Sequence, residues 1–540
     1  MKSNKKYWKI IFFIMCIGAI LRIVCCFWGR PYYQLHPDEG TIVNNAIDML
    51  SRHSWEAYVY NRPDQFEIKC CALIFQIGSY LRYHIPAYEA FAAHQGYFYV
   101  LARLYTAFWG IMLIPLSALL AGEIYKKDDV NVGWIQVFTA GIFAFSYIFI
   151  QHSGYATPDV TLTFFVVAIA YCSTRYIKTG ANKDVYFLAA LTGIATTIKY
   201  PAIIMAGYIA LIVVYKKIQE KKFLEIIQIG VVCLLIALAT MWVIAPNLFT
   251  DFGSVVDTFR FEARSTHLGA DRLGFFGNMR FYFEQICESM GSISLITFCV
   301  GIIQIFRLRK KEYMPLLCSA LYWIFLSVMK LHWQRWGVPM YVAYVIISVA
   351  GFFWMIEICK TKIKERKKVL FAKSVVYCLG GISVISICMS GIGMAVWSSK
   401  QDARIPGIEL CQKNNVTVDN SIAEGYTPLS VKSEKSGVEE FELTSDGIRA
   451  KDGQKEYFVM TTNFLERYQE EPKRYKNEIE IYKRIEKNYT PVFKIKGWKF
   501  QSNINEFINI KDQIENISNT HKYTGCSIYV YDLKESGEKR

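Results

Sequence analysis

Two adjacent acidic residues, Asp38 and Glu39, follow Pro37 just after the first long apolar segment of the chain. A charged pair so close to a membrane-spanning segment is energetically expensive, which favours a functional role. Pro37 sets the start of a following helix, where exposed N–H groups and the helix dipole stabilise ionised carboxylates. An ionised carboxylate can take a proton from a hydroxyl group. Asp38 is therefore a candidate general base, with ordinary helix capping as the alternative for both acids.

A second acidic position repeats this pattern. Asp159 follows Pro158 at the start of another apolar segment. An N-terminal helix acid without catalytic function is again the alternative. The topology given below places Asp159 on the same side of the membrane as Asp38 and Glu39. This shared side favours a joint site, in which Glu39 and Asp159 orient an acceptor or hold a metal ion.

Basic residues are expected on the same side of the membrane. Lys199 stands alone between two apolar segments, where the positive-inside rule disfavours a cation. Such cations would stabilise a departing phosphate group. For each one, snorkelling towards lipid headgroups is the alternative. The candidates for phosphate binding are Arg62, Arg103, Lys199 and Arg335.

Three histidines, His36, His152 and His332, also fall on this side. With the nearby acids, His36 among them could support the acceptor or bind a divalent metal ion, although their spacing matches no metal motif. No cofactor is therefore assigned, and a divalent metal stays an open alternative. The sequence contains no Walker loop, no Gly-x-Gly-x-x-Gly after a strand and no Asp-x-Asp in a soluble nucleotide-binding domain. Chemistry that depends on a nucleotide is thus disfavoured.

The elements that must position these residues are membrane-spanning helices. The chain has 540 residues, 53% of them hydrophobic, and its mean hydropathy is positive. Apolar runs of roughly 18 residues or more with few charges are typical of spanning helices. About eleven spans are predicted, at 9–28, 97–122, 133–150, 158–176, 184–199, 201–215, 223–245, 289–306, 314–330, 337–358 and 370–397.

The net charge of +15 arises from Lys and Arg clusters in alternate loops between these spans. This is the positive-inside pattern, and no nucleic-acid-binding motif accompanies it. The rule places the N-terminus in the cytoplasm. Asp38 and residues 399–540 are then outside. The 15 cysteines are scattered and suggest neither a disulfide framework nor a zinc site, although Cys411 and Cys526 could pair.

Two domains are predicted. Residues 1–398 form the membrane domain, with long outer loops at 31–96 and 246–288. The first loop contains two amphipathic segments, at 42–50 and 66–81, which are typical of helices lying at the membrane surface. Residues 399–540 are richer in charge and combine strand-like runs at 457–460 and 527–531 with a long helix-like stretch at 463–488. The fold class is thus mainly α, a polytopic membrane protein with outer juxtamembrane helices and a small extracytoplasmic α/β domain.

These motifs, in this order, resemble the GT-C superfamily of membrane glycosyltransferases. The protein O-mannosyltransferases and the lipid A aminoarabinose transferases, the family 39-like group, are the most similar. Asp38-Glu39 resembles the acidic motif of their first outer loop, and Pro158-Asp159 their second acid. The segment ending at Lys199-Tyr200, Ala102-Arg103-Leu104 and Arg335-Trp336 with Pro339 look like further family motifs. The aminoarabinose enzymes place an arginine shortly after the acidic pair. Here Gly40-Thr41-Ile42 follow instead, and Arg62 before Pro63 is similar to another basic position of that group.

The resemblance implies an integral-membrane glycosyltransferase with a polyprenyl-phosphate sugar as donor. It implies an inverting single displacement on the outer face, with Asp38 as base and the four cations binding the phosphate. The sugar, a hexose or a pentose, and the acceptor, a lipid, a polysaccharide or a protein, stay open. A bacterial plasma membrane is the expected location. A transporter or flippase of lipid-linked saccharides, or a non-catalytic protein that binds polyprenyl lipid, are the alternatives. Transporters usually show internal repeats, and the sequence has none.

Overall fold

The computed structural model describes residues 2–32, 36–60, 62–126, 132–308, 311–362, 364–430, 436–444, 448–518 and 520–536. Among these residues, seven helices are long and apolar enough to cross a membrane, and two sharply bent helix pairs raise the number to nine. The protein is mainly α-helical and polytopic, as predicted. The exact number of spans, expected to be eleven, is not established.

The membrane domain contains seventeen described α-helices. They are α1 (Lys2–Cys25), α2 (Glu39–Ser51), α3 (Gln65–Tyr83), α4 (Ala87–Tyr125), α5 (Val132–Phe145), α6 (Tyr147–Ser153), α7 (Asp159–Thr179), α8 (Asn182–Ile198), α9 (Ile204–Glu220), α10 (Phe223–Ile244), α11 (Asn247–Thr250), α12 (Phe252–Glu262), α13 (Gly274–Met290), α14 (Ser292–Leu308), α15 (Leu317–Val328), α16 (Tyr341–Lys362) and α17 (Arg366–Ser399). Short 3-10 helices cover Tyr200–Ile203, Lys311–Leu316 and Gln334–Met340.

Every predicted span coincides with helical structure. Two of them are too short to count as spans by length alone, because α8 has 17 residues and α15 has 12. Two others belong to bent pairs, since α5 meets α6 at 53° and α13 meets α14 at 118°. The four predicted spans that contain these helices, 133–150, 184–199, 289–306 and 314–330, account for the difference between the eleven predicted spans and the seven straight ones.

The loop after α1 folds into α2 and α3, as its amphipathic pattern predicts. The buried face of α2 includes Ile42, Val43 and Ala46. It packs against α3 and α4 in a core that also contains Phe75 and Phe98. Burial of these side chains fixes the starts of α2 and α3 on the membrane domain, and the acidic residues of the site lie at those starts.

The C-terminal domain contains α18 (Arg404–Lys413), β1 (Ser421–Ala423), β2 (Phe441–Leu443), β3 (Ile448–Ala450), β4 (Tyr457–Thr461), α19 (Thr462–Glu470), α20 (Lys476–Asn488), β5 (Tyr489–Ile495), α21 (Ile510–Ser518) and β6 (Ile528–Ser536), with a 3-10 helix at Gly437–Glu440. One sheet has the order β1-β4-β6-β5, in which β1 and β4 are parallel and the other pairs antiparallel. A two-stranded antiparallel sheet joins β2 to β3.

Two details of this domain differ from the sequence interpretation. The helix-like stretch at 463–488 is two helices, α19 and α20, separated by a turn that contains Pro472. Proline lacks the backbone N–H that a continuous helix would need at this position. Cys411 and Cys526, which could have paired, are both free thiols.

The C-terminal domain is tied to the membrane domain by an ion pair. Arg474 donates to both oxygens of Asp271, at 2.7 and 3.2 Å. Asp271 also accepts a hydrogen bond from the backbone N–H of His267, at 2.8 Å. The neighbouring Ala270 carbonyl accepts from the N–H of His332 at 3.1 Å. The C-terminal domain is therefore connected to the segment that leads into the 3-10 helix Gln334–Met340.

Candidate functional site

The acidic and basic residues singled out from the sequence lie on one side of the helical bundle, here called the site face. The starts of α2, α3 and α7 meet there with the ends of α1, α6 and α8. Hydrogen bonds close this junction: the Asp64 N–H donates to the Ile198 carbonyl at 3.3 Å, and the Ala156 N–H donates to Glu39 at 2.9 Å.

Asp38 stands at the N-cap position of α2, but its side chain accepts no capping hydrogen bond from that helix. Its carboxylate instead contacts two guanidinium groups, from Arg335 and from Arg62. The Arg62 Nη1 atom lies 3.3 Å from Asp38 Oδ2, and the Arg335 contact is closer still. The Asp38 side chain keeps 27% of its surface exposed. Helix capping therefore does not account for this acid.

The two arginines set the charge state of Asp38. Burial on its own would raise the pKa of this carboxyl, but Arg335 and Arg62 outweigh burial and hold the pKa well below its usual range. Arg62 is fixed in turn by two further hydrogen bonds, because it donates to the Asp38 carbonyl at 3.1 Å and to the Asp64 carboxylate at 2.7 Å. Asp38 is thus ionised at neutral pH.

His36 lies beside Asp38. Its Nδ1 accepts a hydrogen bond from the Asp38 backbone N–H at 3.3 Å, and its ring packs on Tyr155 at a centroid distance of 4.7 Å. Burial lowers the pKa of His36 to about 4. The imidazole is therefore neutral at pH 7, and the acceptor role of Nδ1 assigns its proton to Nε2.

Glu39 points away from Asp38 into the core, where it pairs with Arg103. Arg103 Nε and Nη2 donate to the two Glu39 carboxylate oxygens, both at 2.7 Å, and both side chains are fully buried. Arg103 also donates to the carbonyls of Trp28 at 2.6 Å and Cys26 at 3.2 Å. Together with the Ala156 N–H, these bonds join the end of α1, the start of α2, α4 and the α6–α7 connection.

This pairing differs from the roles expected for the two residues. Glu39 was expected to support the acceptor or a metal, and Arg103 to bind phosphate. Both side chains have no exposed surface, and each neutralises the other through two charge-assisted hydrogen bonds. In this conformation, their position is that of a structural ion pair.

Asp159 and Lys199 form a second buried pair. The Lys199 Nζ donates to Asp159 Oδ1 at 2.7 Å, and the side chains are 8% and 2% exposed, respectively. Lys199 Nζ also lies 5.3 Å from the centroid of the Trp336 ring. Since Trp336 follows Arg335, the pair borders the Asp38 cluster. Lys199 therefore contributes its charge next to the site rather than at its open surface.

Two acids at the site face were missed by the sequence interpretation. Asp64 is fully buried and binds Arg62, and burial raises its pKa to about 6. Glu67, in the first turn of α3, is also fully buried, and burial raises its pKa well above the usual range. A signal for Asp64 was present, because Pro63-Asp64 repeats the Pro-Asp pattern of residues 37–38 and 158–159 at the start of a third helix.

A divalent metal was an open alternative for this site. Among the described residues, no three His, Cys, Asp or Glu side chains come together as a potential metal-binding group. Asp38 and Asp159 have cationic partners instead. The donor set present here does not fit a metal ion, and no catalytic step is assigned to one.

An apolar groove of about 390 Å³ runs between α13, α14, α15 and α16. Phe283, Trp323 and Met340 line it near the site face, and Ile305 and Leu317 line it towards the other end of the helices. Met340 ends the 3-10 helix that carries Arg335. The groove therefore extends from the neighbourhood of Arg335 along the membrane-spanning helices.

With the fold and this geometry in place, the class is that of a polytopic α-helical membrane protein with a charged site at one face. Residues 76–253 match the family model described as dolichyl-phosphate-mannose-protein mannosyltransferase, a GT-C family. Over that segment, which contains Arg103, Asp159 and Lys199, the match confirms the resemblance to the GT-C membrane glycosyltransferases. A comparison with curated proteins found no match.

Several solved structures are similar. ArnT from Cupriavidus metallidurans bound to undecaprenyl phosphate is 14% identical over 75% of this chain and 73% of that one, with a TM-score of 0.44. AglB from Archaeoglobus fulgidus, in complex with an inhibitory peptide and a dolichol-phosphate, is 12% identical over 76% and 58%, with a TM-score of 0.46. The S. cerevisiae Pmt1-Pmt2 complex bound to the sugar donor is 16% identical over 46% and 34%, with a TM-score of 0.35.

Proposed function

We propose that this chain is an integral-membrane glycosyltransferase that moves a sugar from a polyprenyl-phosphate donor to an acceptor hydroxyl at the site face. The observation that carries the proposal is the partly exposed Asp38 carboxylate held between Arg62 and Arg335. This arrangement combines a proton acceptor with two cations suited to a phosphate. The description of the family that matches residues 76–253 names a dolichyl-phosphate sugar and supports a lipid-linked donor.

Arg335 is assigned to the donor phosphate. Its side chain is 23% exposed, and the planar fork of a guanidinium matches phosphate oxygens better than a lysine ammonium does. Arg62 adds a second charge, and Lys199 a third one behind Trp336. The groove that begins at Met340 then receives the apolar polyprenyl chain, because its lining is almost entirely aliphatic and aromatic.

The reaction is assigned as an inverting single displacement. The acceptor oxygen attacks the anomeric carbon of the donor while its proton moves to the Asp38 carboxylate. The bond between the anomeric carbon and the phosphate oxygen breaks, and polyprenyl phosphate leaves with the bonding electron pair. Arg335 and Arg62 stabilise the charge that develops on that phosphate. Because His36 is neutral, it adds no positive charge, and the two arginines interact with the phosphate.

The same arginines connect donor binding to the basicity of Asp38. Without donor, their charges keep the pKa of Asp38 far below neutral, which makes the carboxylate a weak base. A bound phosphate would share those guanidinium groups and partly neutralise them. The pKa of Asp38 would then rise towards the range of a useful base, so that proton transfer is favoured only when donor is present.

The orientation follows from the positive-inside pattern of the loops. On this pattern we propose that the site face and residues 399–540 lie outside the cytoplasm, and a bacterial plasma membrane is the proposed location. The acceptor is a hydroxyl of a lipid, a polysaccharide or a protein, and the transferred sugar is a hexose or a pentose.

The proposal is tested with purified protein in lipid nanodiscs, a panel of polyprenyl-phosphate hexoses and pentoses, and lipid, polysaccharide and peptide acceptors that carry free hydroxyl groups. Release of polyprenyl phosphate is measured, and donor binding is measured separately. The wild type should release the lipid phosphate from at least one donor. Asp38→Asn should bind that donor without turning it over. Asp48→Asn is the matched control, since Asp48 lies on the same helix α2 but pairs with the exposed Arg52.

Two results would contradict the proposal. Tight donor binding with no release from any member of the panel would indicate a lipid-binding protein. Movement of intact donor across a vesicle membrane would indicate a transporter.

A further inference from the structure

Helix α14 is shorter than the hydrocarbon core of a bilayer. Its 17 residues span roughly 25 Å at 1.5 Å per residue, whereas the core is about 30 Å thick. The basic run 307–311 begins in the last turn of α14, which is typical of a helix end at the membrane surface. Helix α14 therefore begins, at Ser292, below the membrane surface on the site face.

A residue of the C-terminal domain caps that buried helix start. Glu506 Oε2 accepts hydrogen bonds from the N–H groups of Ser292 at 2.8 Å and Ile293 at 3.4 Å. The Ile504 N–H donates to the carbonyl of Glu288, on α13, at 2.7 Å. A carboxylate at a helix N-terminus satisfies free N–H groups and interacts well with the helix dipole. Residues 504–506 thus reach the depth at which α14 begins.

The residues around Ile293 indicate independently that the start of α14 lies below the membrane surface. Ile293 lines a small apolar cavity together with Ser383 and Ile387 of α17. Both of these α17 residues lie well inside the 34-residue helix Arg366–Ser399, which is long enough to cross a bilayer. The start of α14, and with it Glu506, is level with an inner part of a spanning helix.

Apart from the exposed Lys511 and the half-buried Asp512 and Glu515, the polarity of the segment after Glu506 is reversed relative to a water-facing surface. On α21 the polar residues Gln513 and Asn516 are buried, at 3% and 0% exposure. Asn516 packs tightly on α17 at Gly393. A Cβ atom added to Gly393 would lie 2.8 Å from the Cβ atom of Asn516. The apolar side chains point outward instead, with exposures of 64% for Phe507, 77% for Ile508, 49% for Ile510 and 54% for Ile514.

This exposed apolar face continues the lipid-facing surface of α17. On that spanning helix, Ile382, Ile385 and Ile392 are 41%, 60% and 41% exposed, as expected for side chains that contact lipid. Since α21 packs along α17, its outward face adjoins this surface. An apolar face next to a lipid-facing helix is suited to acyl chains, whereas the same face in water would promote aggregation.

We propose that residues 504–516 of the C-terminal domain are inserted into the membrane leaflet on the site face. Phe507, Ile508, Ile510 and Ile514 contact lipid acyl chains, and Glu506 caps α14 from within the membrane. The C-terminal domain, expected from the sequence to be wholly soluble, is then held at the membrane by this insert as well as by its covalent link to α17. The proposal does not depend on the proposed enzymatic function.

The test uses a photo-crosslinking amino acid, benzoylphenylalanine, placed singly at 508 or at 514 in the full-length protein. The protein is reconstituted into nanodiscs of phosphatidylethanolamine and phosphatidylglycerol and irradiated. Val418 is the matched control, because it is a 60%-exposed apolar residue of the same domain that lies outside the insert. Mass spectrometry should show a gain of one phospholipid mass at 508 and at 514, and none at 418.

A crosslinked dimer at 508 and 514, or no adduct at either position, would overturn the proposal. The first result would assign this face to a second copy of the chain, and the second would leave it in water. A further measurement avoids reliance on the crosslinker. Ile508→Asp should lower the Tm in nanodiscs, since an acidic side chain is costly among acyl chains, whereas Val418→Asp should leave it unchanged. An unaltered Tm for Ile508→Asp would likewise contradict insertion.

Discussion

Asp38 and Glu39 are neighbours in the chain but have opposite environments. Asp38 is 27% exposed and shares its carboxylate between two arginines that are themselves partly exposed. Glu39 is fully buried and has a two-bond pair with one equally buried arginine, Arg103. Consecutive residues at a helix start are about 100° apart around the axis, so adjacent side chains diverge. One carboxylate therefore faces the site, and the other faces the core.

The difference separates two uses of the same chemistry. In the Glu39–Arg103 pair the charges are balanced and saturated by hydrogen bonds, which suits a structural joint between helices. In the Asp38 cluster the carboxylate and both arginines stay partly exposed, and Arg62 is paired with the Asp64 carboxylate as well. Such a cluster can admit a further anion without leaving a buried charge unpaired. The contrast leads to four predictions that could break or refine it.

The largest effect is expected from Glu39→Ala. Arg103 would be left buried without its carboxylate, and breaking a buried ion pair in this way costs about 3–5 kcal/mol. Little folded protein should be recovered, as measured by size-exclusion chromatography in detergent. Asp38→Ala serves as the control and should give a clearly higher yield than Glu39→Ala, because the Asp38 pairs are partly exposed and Arg62 keeps Asp64 as a partner. A stable, well-expressed Glu39→Ala protein would remove the distinction between the two acids.

Asp38→Asn should leave folding intact and lower kcat by about 10²–10⁴, the range for loss of a general base. The KM for donor should not rise, since both arginines stay in place. The initial rate of polyprenyl-phosphate release measures both constants. Full transfer activity at normal expression would show that Asp38 is not the base.

Arg335→Lys should raise the KM for the donor by roughly tenfold, because a lysine replaces the two-point contact of a guanidinium with a single point charge. The kcat should change less than the KM. Arg52→Lys, at the opposite end of α2, is the control and should change neither constant. A variant in which only kcat falls would assign Arg335 to the transition state rather than to donor binding.

The smallest effect concerns the pH dependence of stability. The pKa of Asp64 is raised to about 6 by burial, compared with about 3.9 in an unfolded chain. Between about pH 4 and pH 6 the Asp64 carboxyl is protonated in the folded protein but ionised in the unfolded chain. The contribution of Asp64 to the free energy of unfolding is therefore present below about pH 4 and is lost as the pH rises through 6. Asp64→Asn should remove this component, as measured by Tm from pH 4 to pH 7. An Asp64→Asn profile that matches the wild type would contradict the raised pKa.

The positions of the helices could be predicted because long apolar runs determine them locally. The division of 463–488 into α19 and α20 could also have been predicted, since Pro472 is visible in the sequence. The Pro-Asp pattern located Asp38 and Asp159, and the same pattern would have located Asp64.

The ion-pair partners could not be predicted in this way. Arg103 is 64 positions from Glu39, and Arg335 is 297 positions from Asp38. Which cation meets which acid depends on how helices distant in the chain pack, and no local pattern contains that information. Four cations on one side of the membrane therefore looked equivalent as phosphate ligands. The structure pairs three of them with buried acids: Arg103 with Glu39, Lys199 with Asp159 and Arg62 with Asp64, whereas Arg335 contacts the partly exposed Asp38.

The contact between Arg474 and Asp271 has a consequence for the order in which the protein matures during synthesis. The segment before Arg335 is held partly by Ala270, and the loop that contains Ala270 is held by Arg474, about 140 positions later in the chain than Arg335. While the ribosome is still making residues 399–540, the membrane helices can already be inserted. The segment that carries Arg335 lacks this anchor until the last domain has emerged and folded. The nascent protein thus gains this anchor of the Arg335 segment only after Arg474 has been synthesised.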